Sequence, residues 1–483
     1  MYLNKKILIG KSDDKEANLL LNKANRHGLI TGASGSGKTI TVKVLAESFS
    51  DAGVPVFLID VKGDLSAMPK AGENNENIKS RLEKLKIDNF EFKGYPTNYF
   101  DIYGSTGNKV SMPISSINTR MLAKLLDLTT AQEGVLAIVF KIAEDEHINL
   151  VTMDDLRNML NYVGEKRKEY TLTYGNITTQ SIGSIQRSLL AFSEMDGEKL
   201  FGNPEIDVND FIHYDENTGQ GFINVLDATE LFNHPTLYAT VVLSILSRLY
   251  DTLDEVGDLD KPKLVFFFDE AHLVFSEMSD NIVKQLIQIV KLIRSKGIGL
   301  YFISQSPGDI PDEILAQLGN RIQHVLRSYT KSDEKVIKAA ANSYRENENF
   351  DTVEAIKTLG TGEALISLQN EDGEPTIVDK FTILPPQSKM GTIDDTERNN
   401  IFKNNWLYNK YNVKVENNQP QPSIAPKVSM SQFNKPTIKN IETSNNGINK
   451  TKSEDVKMSK WQKKVINKVE NKVINKLINK IFK

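Results

Sequence analysis

Residues Gly32 to Thr39, GASGSGKT, have the spacing G-x-x-x-x-G-K-[ST] of a phosphate-binding loop. Gly32, Gly35 and Gly37 keep side chains away from an approaching phosphate and let backbone N–H groups point inward, so the cradle takes in Gly32, Ala33, Ser34, Gly35, Ser36, Gly37, Lys38, Thr39 and Ile40. Lys38 then neutralises the β- and γ-phosphates, and Thr39 ligates Mg²⁺ through its hydroxyl. Much later in the chain, KLVFFFDEAH leads an apolar run up to Asp269 and Glu270. Asp269 is expected to hold the Mg²⁺ shell. Glu270, one residue on and pointing to the opposite side, is expected to polarise the attacking water as general base. The plainer readings, a glycine-rich turn and a solvated strand end, lose ground because the two motifs occur together. The pair favours nucleotide hydrolysis over binding alone.

Gln305 ends GLYFISQ. In P-loop ATPases with a strand inserted between the loop strand and the Asp-Glu strand, a polar residue at this tip contacts the γ-phosphate or its water; the alternative is a polar residue that merely ends a strand. Arg294, Arg321 and Arg327 lie in the carboxyl half of the core, where an arginine finger reaches a neighbouring subunit's nucleotide, and a surface salt bridge is the competing role for each. Arg321 and Arg294 join Glu270, Lys38 and Gln305 as catalytic candidates. Asp60, Lys62 and Asp64, in FLIDVKGDL, either couple nucleotide state to a substrate or cap a loop. The letters DEAH do not make a DEAH-box helicase, since the downstream motifs of that class are missing, and His272 reads as a helix start. The six histidines show no zinc-ligand spacing.

The elements that must position these groups are legible from pattern. HGLIT, the glycine turn, ITVKVLAESFSDAG and VPVFLID give strand, turn, amphipathic helix and buried strand, which is a parallel βαβ unit. GFINVLDA, KLVFFFDEA, IGLYFIS and RIQHVL are further buried strands, with helical patterns at Leu231–Leu253 and Asn281–Lys296 between them. The fold class is therefore α/β, a doubly wound and mainly parallel sheet. Helical periodicity between the second strand and GFINVLDA marks a mostly helical insertion, and EALISLQ and TIVDKFTIL suggest two closing strands. The expected segments are a first core piece over 1–66, the insertion over 67–210, the rest of the core over 211–390, a helical extension over 391–415, a disordered linker over 416–458 and a basic amphipathic helix over 459–483. In that last helix Val465, Val469, Val473, Leu477 and Ile481 recur every four residues against a lysine face. It is expected to lie on a membrane surface, on DNA, or on the protein itself.

The 483 residues are 39% hydrophobic and 25% charged, which suits a globular chain with a substantial core. Cysteine is absent, which excludes disulfides, thiol catalysis and iron–sulfur clusters. A net charge of −4 divides into a basic tail from Lys410 onward and an acidic body. MYLNKKILIG is too short an apolar run for a secretory signal, and nothing approaches the roughly 18 apolar residues of a membrane span, so the cytoplasm is the expected compartment.

Four blocks, NRHGLITGASGSGKTITVKVLAESFSDAGVPVFLIDVKGDLSAM, LVFFFDEAHLVF, GIGLYFISQSPGDIP and LGNRIQHVLRSYT, resemble the HerA-like ATPases of the HerA/FtsK superfamily, in particular bacterial proteins with a HerA-like helicase carboxyl-terminal domain. The likeness runs from about Arg26 to Leu384. It implies a RecA-like P-loop fold, ATP hydrolysis and a homo-hexamer in which one subunit's arginine completes the neighbour's site. HerA itself pumps or unwinds DNA with a nuclease partner. The segment ahead of this likeness is too short for the β-barrel that HerA uses for partner binding, so DNA is an expected substrate and a nuclease partner is not expected. The alternative is an ATPase of the secretion or conjugation type.

Overall fold

Runs such as VFLID and LVFFF offer no polar face to water, so they settle where both faces of a sheet are covered. The structure is a computed structural model and describes residues 1–276 and 280–412. Its strands are β1 (Tyr2–Leu3), β2 (Lys6–Lys11), β3 (Glu16–Leu20), β4 (Gly28–Thr31), β5 (Val56–Asp60), β6 (Thr97–Asp101) and β7 (Asn108–Lys109). They continue with β8 (Ile223–Asp227), β9 (Leu264–Phe268), β10 (Ile298–Ser304), β11 (Asn320–Gln323), β12 (Glu363–Ser367) and β13 (Asp379–Ile383). One sheet holds them in the order β1-β2-β13-β12-β11-β4-β10-β9-β5-β8-β6-β7, with β3 beside β2. From β11 to β7 every neighbouring pair is parallel. The other end, β12, β13 and β1 to β3, is antiparallel.

Strand alternation divides the core in two. Phe57, Ile59, Phe266, Phe268, Leu300 and Phe302 point to one face. Val56, Leu58, Val265, Phe267, Tyr301 and Ile303 point to the other. Helices of the 67–210 stretch and the helix Pro235–Thr252 cover the first face; α1 (Lys38–Asp51) and the front strands cover the second. Aromatic stacking aligns the central strands: the rings of Phe57 and Phe266 lie 4.7 Å apart, and those of Phe268 and Phe302 also 4.7 Å apart. The residue that precedes Asp269 is thus locked against the strand that carries Gln305.

The helix expected at Leu231–Leu253 begins with a 3-10 turn at Leu231–Asn233 and continues as Pro235–Thr252, with proline at its start. The one expected at Asn281–Lys296 is Asp280–Leu292 followed by a 3-10 turn. The 67–210 stretch contains the helices Thr119–Leu125, Thr130–Asp145, Met153–Glu165 and Thr179–Glu194, among others. It also supplies β6 and β7, which extend the sheet beyond β8. The helices Asp395–Lys403 and Tyr408–Asn412 fall in the expected extension. The linker over 416–458 and the amphipathic helix over 459–483 lie outside the described residues. Among the described residues no helix is long and apolar enough to cross a membrane.

Candidate active site

Parallel strands gather their carboxyl ends on one edge, where a loop can approach ligand without blocking the sheet. β4 ends there in the glycine turn. Gly32 has φ +154°, and a Cβ on it would come within 2.5 Å of His324 Cβ and 2.8 Å of Ser36 Oγ. Gly37 has φ +112° and caps α1, leaving no room for a side chain beside Gly362 Cα at 3.1 Å. α1 has no side-chain cap and no acid in its first turn, so its free N–H groups and positive end are open to an anion. The buried Ser36 hydroxyl has no partner among the described residues. A cradle of small residues, an open helix start and an orphaned hydroxyl fit a phosphate. Lys38 is folded back, donating to the carbonyls of Gly32 and Ala33. Burial, with the nearby Lys62 charge, pushes its ammonium below the usual lysine range, while Glu270 and Asp269 oppose the shift.

β9 brings the carboxylates to the same edge. Asp269 Oδ1 accepts from the Glu270 N–H at 3.0 Å, and the Tyr238 hydroxyl donates to the Asp269 carbonyl at 2.8 Å. Burial pushes Asp269 up to about 7, with Glu270 and Asp64 adding their charge and Lys62 opposing. A carboxyl so placed suits a cation. Glu270 is only 3% exposed and sits at φ +47°, a left-handed conformation rare outside glycine. Its Oε1 accepts from Lys62 Nζ at 2.6 Å. Burial pushes its pKa up, but the Lys62 hydrogen bond and the charges of Lys62, His272 and Lys38 outweigh it and hold Glu270 below the usual carboxylate range.

The Asp60–Asp64 turn resolves into three jobs. Asp60 caps the loop, accepting from Gly63 N–H at 2.7 Å and Leu65 N–H at 3.0 Å, and burial pushes its carboxyl up to about 7. Lys62 reaches Glu270. Asp64 Oδ2 accepts from the Thr39 hydroxyl at 3.1 Å. One strand tip therefore touches both the threonine of the glycine turn and the glutamate of β9. Among the described residues no group of three or more His, Cys, Asp or Glu forms a metal cage.

β10 lies between β4 and β9, the inserted position that the sensor assignment of Gln305 requires. Gln305 lines a cavity of about 370 Å³ with Ala33, Ser34, Arg327 and Tyr329. The arginines separate. Arg321 is engaged inside its own chain, donating to the carbonyls of Leu318 at 3.1 Å, Ser343 at 3.2 Å and Leu315 at 2.9 Å. Its guanidinium is thus occupied by carbonyls of its own chain in this structure. Arg294 precedes β10 whereas Gln305 follows it, and seven strand residues span about 23 Å. Arg294 is therefore remote from its own chain's phosphate loop.

The family model for helicase HerA-like C-terminal proteins matches residues 5–483. The chain belongs to this family. This HerA-like chain is 26% identical over 390 residues to the DNA double-strand break repair helicase HerA of Sulfurisphaera tokodaii, covering 78% of itself and 69% of that protein. It is also 26% identical over 391 residues to the HerA of Sulfolobus acidocaldarius, with the same coverage. Among solved structures, the plasmid coupling protein TrwB with a non-hydrolysable GTP analogue superposes with TM-score 0.51 at 12% identity, over 81% of this chain and 91% of that one. TrwB with ADP and Mg²⁺ gives TM-score 0.50 at 14% identity, over 80% and 98%. At such identity the likeness concerns the fold, a P-loop ATPase sheet.

His324 is a site residue of the HerA-like chain that sequence reasoning missed. Its Nδ1 donates to the Glu363 carbonyl and its Nε2 accepts from the Thr41 hydroxyl, both at 2.9 Å, directly beneath the glycine turn. His27, at the foot of β4, likewise donates to the Val290 carbonyl at 2.9 Å and accepts from the Leu300 N–H at 3.0 Å. Burial pushes both rings down to about 4. The unfolded chain protonates them below about 6.5 and the folded chain does not until about 4, so their stability contribution is complete above pH 6.5 and fades as pH falls toward 4. Each ring should cost about 2 kcal/mol at pH 5. Urea midpoints near neutrality and near pH 5 measure the drop, and His324→Gln, which keeps a donor and an acceptor, should show a shallower one.

Proposed function

We propose that this chain is an ATP-hydrolysing motor of the HerA type that acts on DNA as a homo-hexameric ring in the cytoplasm. One observation carries the reading. The glycine turn, Lys38 and Thr39 meet Asp269 and Glu270 at a single sheet edge, close enough for Lys38 to feel both acidic charges. The turn's N–H groups and the open start of α1 hold the β- and γ-phosphates. Lys38 exchanges two carbonyls for those phosphates. Thr39 and Asp269 hold Mg²⁺, which supplies neutralising charge at the phosphate oxygens. Glu270 takes the proton of the water that attacks the γ-phosphorus, leaving ADP and phosphate, and Gln305 contacts the γ-phosphate or that water. Arg294, too far from its own turn, completes a neighbour's site in trans.

The relatives named as DNA repair helicases support DNA as the substrate. ATP turnover should rise on adding DNA, and the DNA affinity should fall steeply with salt, by roughly 10³ between 50 and 200 mM if about six phosphates are contacted. ATPase assays on protein whose oligomeric state is measured in parallel make the test. A ring whose turnover ignores every nucleic acid would shift the substrate toward the secretion or conjugation type.

A further inference from the structure

A carboxylate that serves as general base must present one oxygen to water in a fixed plane, yet the terminal torsion of glutamate is broad. Glu270 has an asymmetric environment that addresses this. Lys62 Nζ holds Oε1 at 2.6 Å. Oε2 is buried and makes no hydrogen bond among the described residues, with His272 Nδ1 at 3.3 Å. The lysine is itself steadied, because Asp60 fixes the turn through two N–H groups and Asp64 ties it to Thr39. Its side chain is 48% exposed, so it enters from the open side of the edge while the carboxylate stays inside.

We propose that Lys62 is a positioning residue for hydrolysis, anchoring one oxygen of Glu270 so that the other is presented to the attacking water. The inference rests on the hydrolytic reading of the site and adds to it a third structural element, the tip of β5. Without the ammonium the buried carboxylate loses its orientation, while Lys38 and Thr39 keep their own hydrogen bonds.

The test uses the full chain with Mg²⁺, steady-state ATP turnover and binding of a fluorescent ATP analogue. Lys62→Met should lower kcat by about 10- to 100-fold, with KM and analogue affinity within about threefold of wild type. Lys62→Arg, which restores a cation, should recover to within about fivefold of wild type. Lys62→Met added to Glu270→Gln should cost nothing further, since both act on one proton transfer. Should circular dichroism show Lys62→Met unfolded, Lys62→Gln is read on the same scale. A wild-type or raised kcat in Lys62→Met while Glu270→Gln is inactive would overturn the proposal and leave the site reading intact. So would a loss of analogue affinity in the folded variant that matches the loss of turnover. Full turnover in Glu270→Gln would instead remove the base assignment, and Lys62's role with it.

Discussion

Glu270→Gln should bind ATP as well as the wild type and turn it over about 10²- to 10⁴-fold more slowly. Glutamine keeps the volume and the ability to accept from Lys62, so the buried pocket stays filled and the analogue-binding surface is untouched. It cannot take a proton. Because the substituted side chain is almost fully buried and in a left-handed backbone conformation, the amide has few alternative positions from which to compensate. Phosphate release gives the rate and equilibrium binding gives the affinity. Loss of both together would assign Glu270 to binding, and retention of both would remove the general base from β9.

Lys38→Met is the second large effect, and its signature differs. The ammonium is already displaced from its usual pKa range by burial, and it satisfies itself with two carbonyls of the loop. Removing it should leave the melting temperature of the nucleotide-free protein nearly unchanged. The phosphate charge is then met only by N–H dipoles, and turnover should fall by about 10²- to 10³-fold as a transition-state donor is lost. Nucleotide binding should weaken too, so the rise in melting temperature that ATP confers on the wild type, which follows ligand concentration over Kd, should largely disappear. Thermal melts with and without Mg²⁺ and ATP separate this variant from Glu270→Gln, which keeps the rise.

The central strands were legible because they are apolar on both faces, a pattern with one outcome in a chain of this composition, and the glycine turn because its spacing has a mechanical meaning. β6 was not legible. Its sequence TNYFD carries Asn98 into the interior, where Asn98 Nδ2 donates to Asn224 Oδ1 at 2.8 Å, and a buried amide pair leaves no apolar run to read. The front strand β2 buries Ile7 and Ile9 and leaves Leu8 half-buried between lysines at its two ends, and a single short hairpin of that kind competes with many loop readings. At the site, the types and spacing of Lys38, Thr39, Asp269 and Glu270 announced their chemistry. The partners of Lys62 and Asp64 did not, since a lysine on one strand tip chooses among carboxylates only once the strand order is fixed. Arg321 was read as a finger candidate, and in the fold it donates to the nearby carbonyls of Leu315 and Leu318 and to that of Ser343, which no spacing announces.

A structure of the full chain with Mg²⁺ and a non-hydrolysable ATP analogue addresses the central claim most directly. The triphosphate should rest on the N–H groups of Gly35 to Thr39, with Lys38 turned from the Gly32 and Ala33 carbonyls onto phosphate oxygens and Glu270 beside the γ-phosphate. A nucleotide bound elsewhere, or one seated on the glycine turn with Glu270 out of reach of any water next to its γ-phosphorus, would contradict the account.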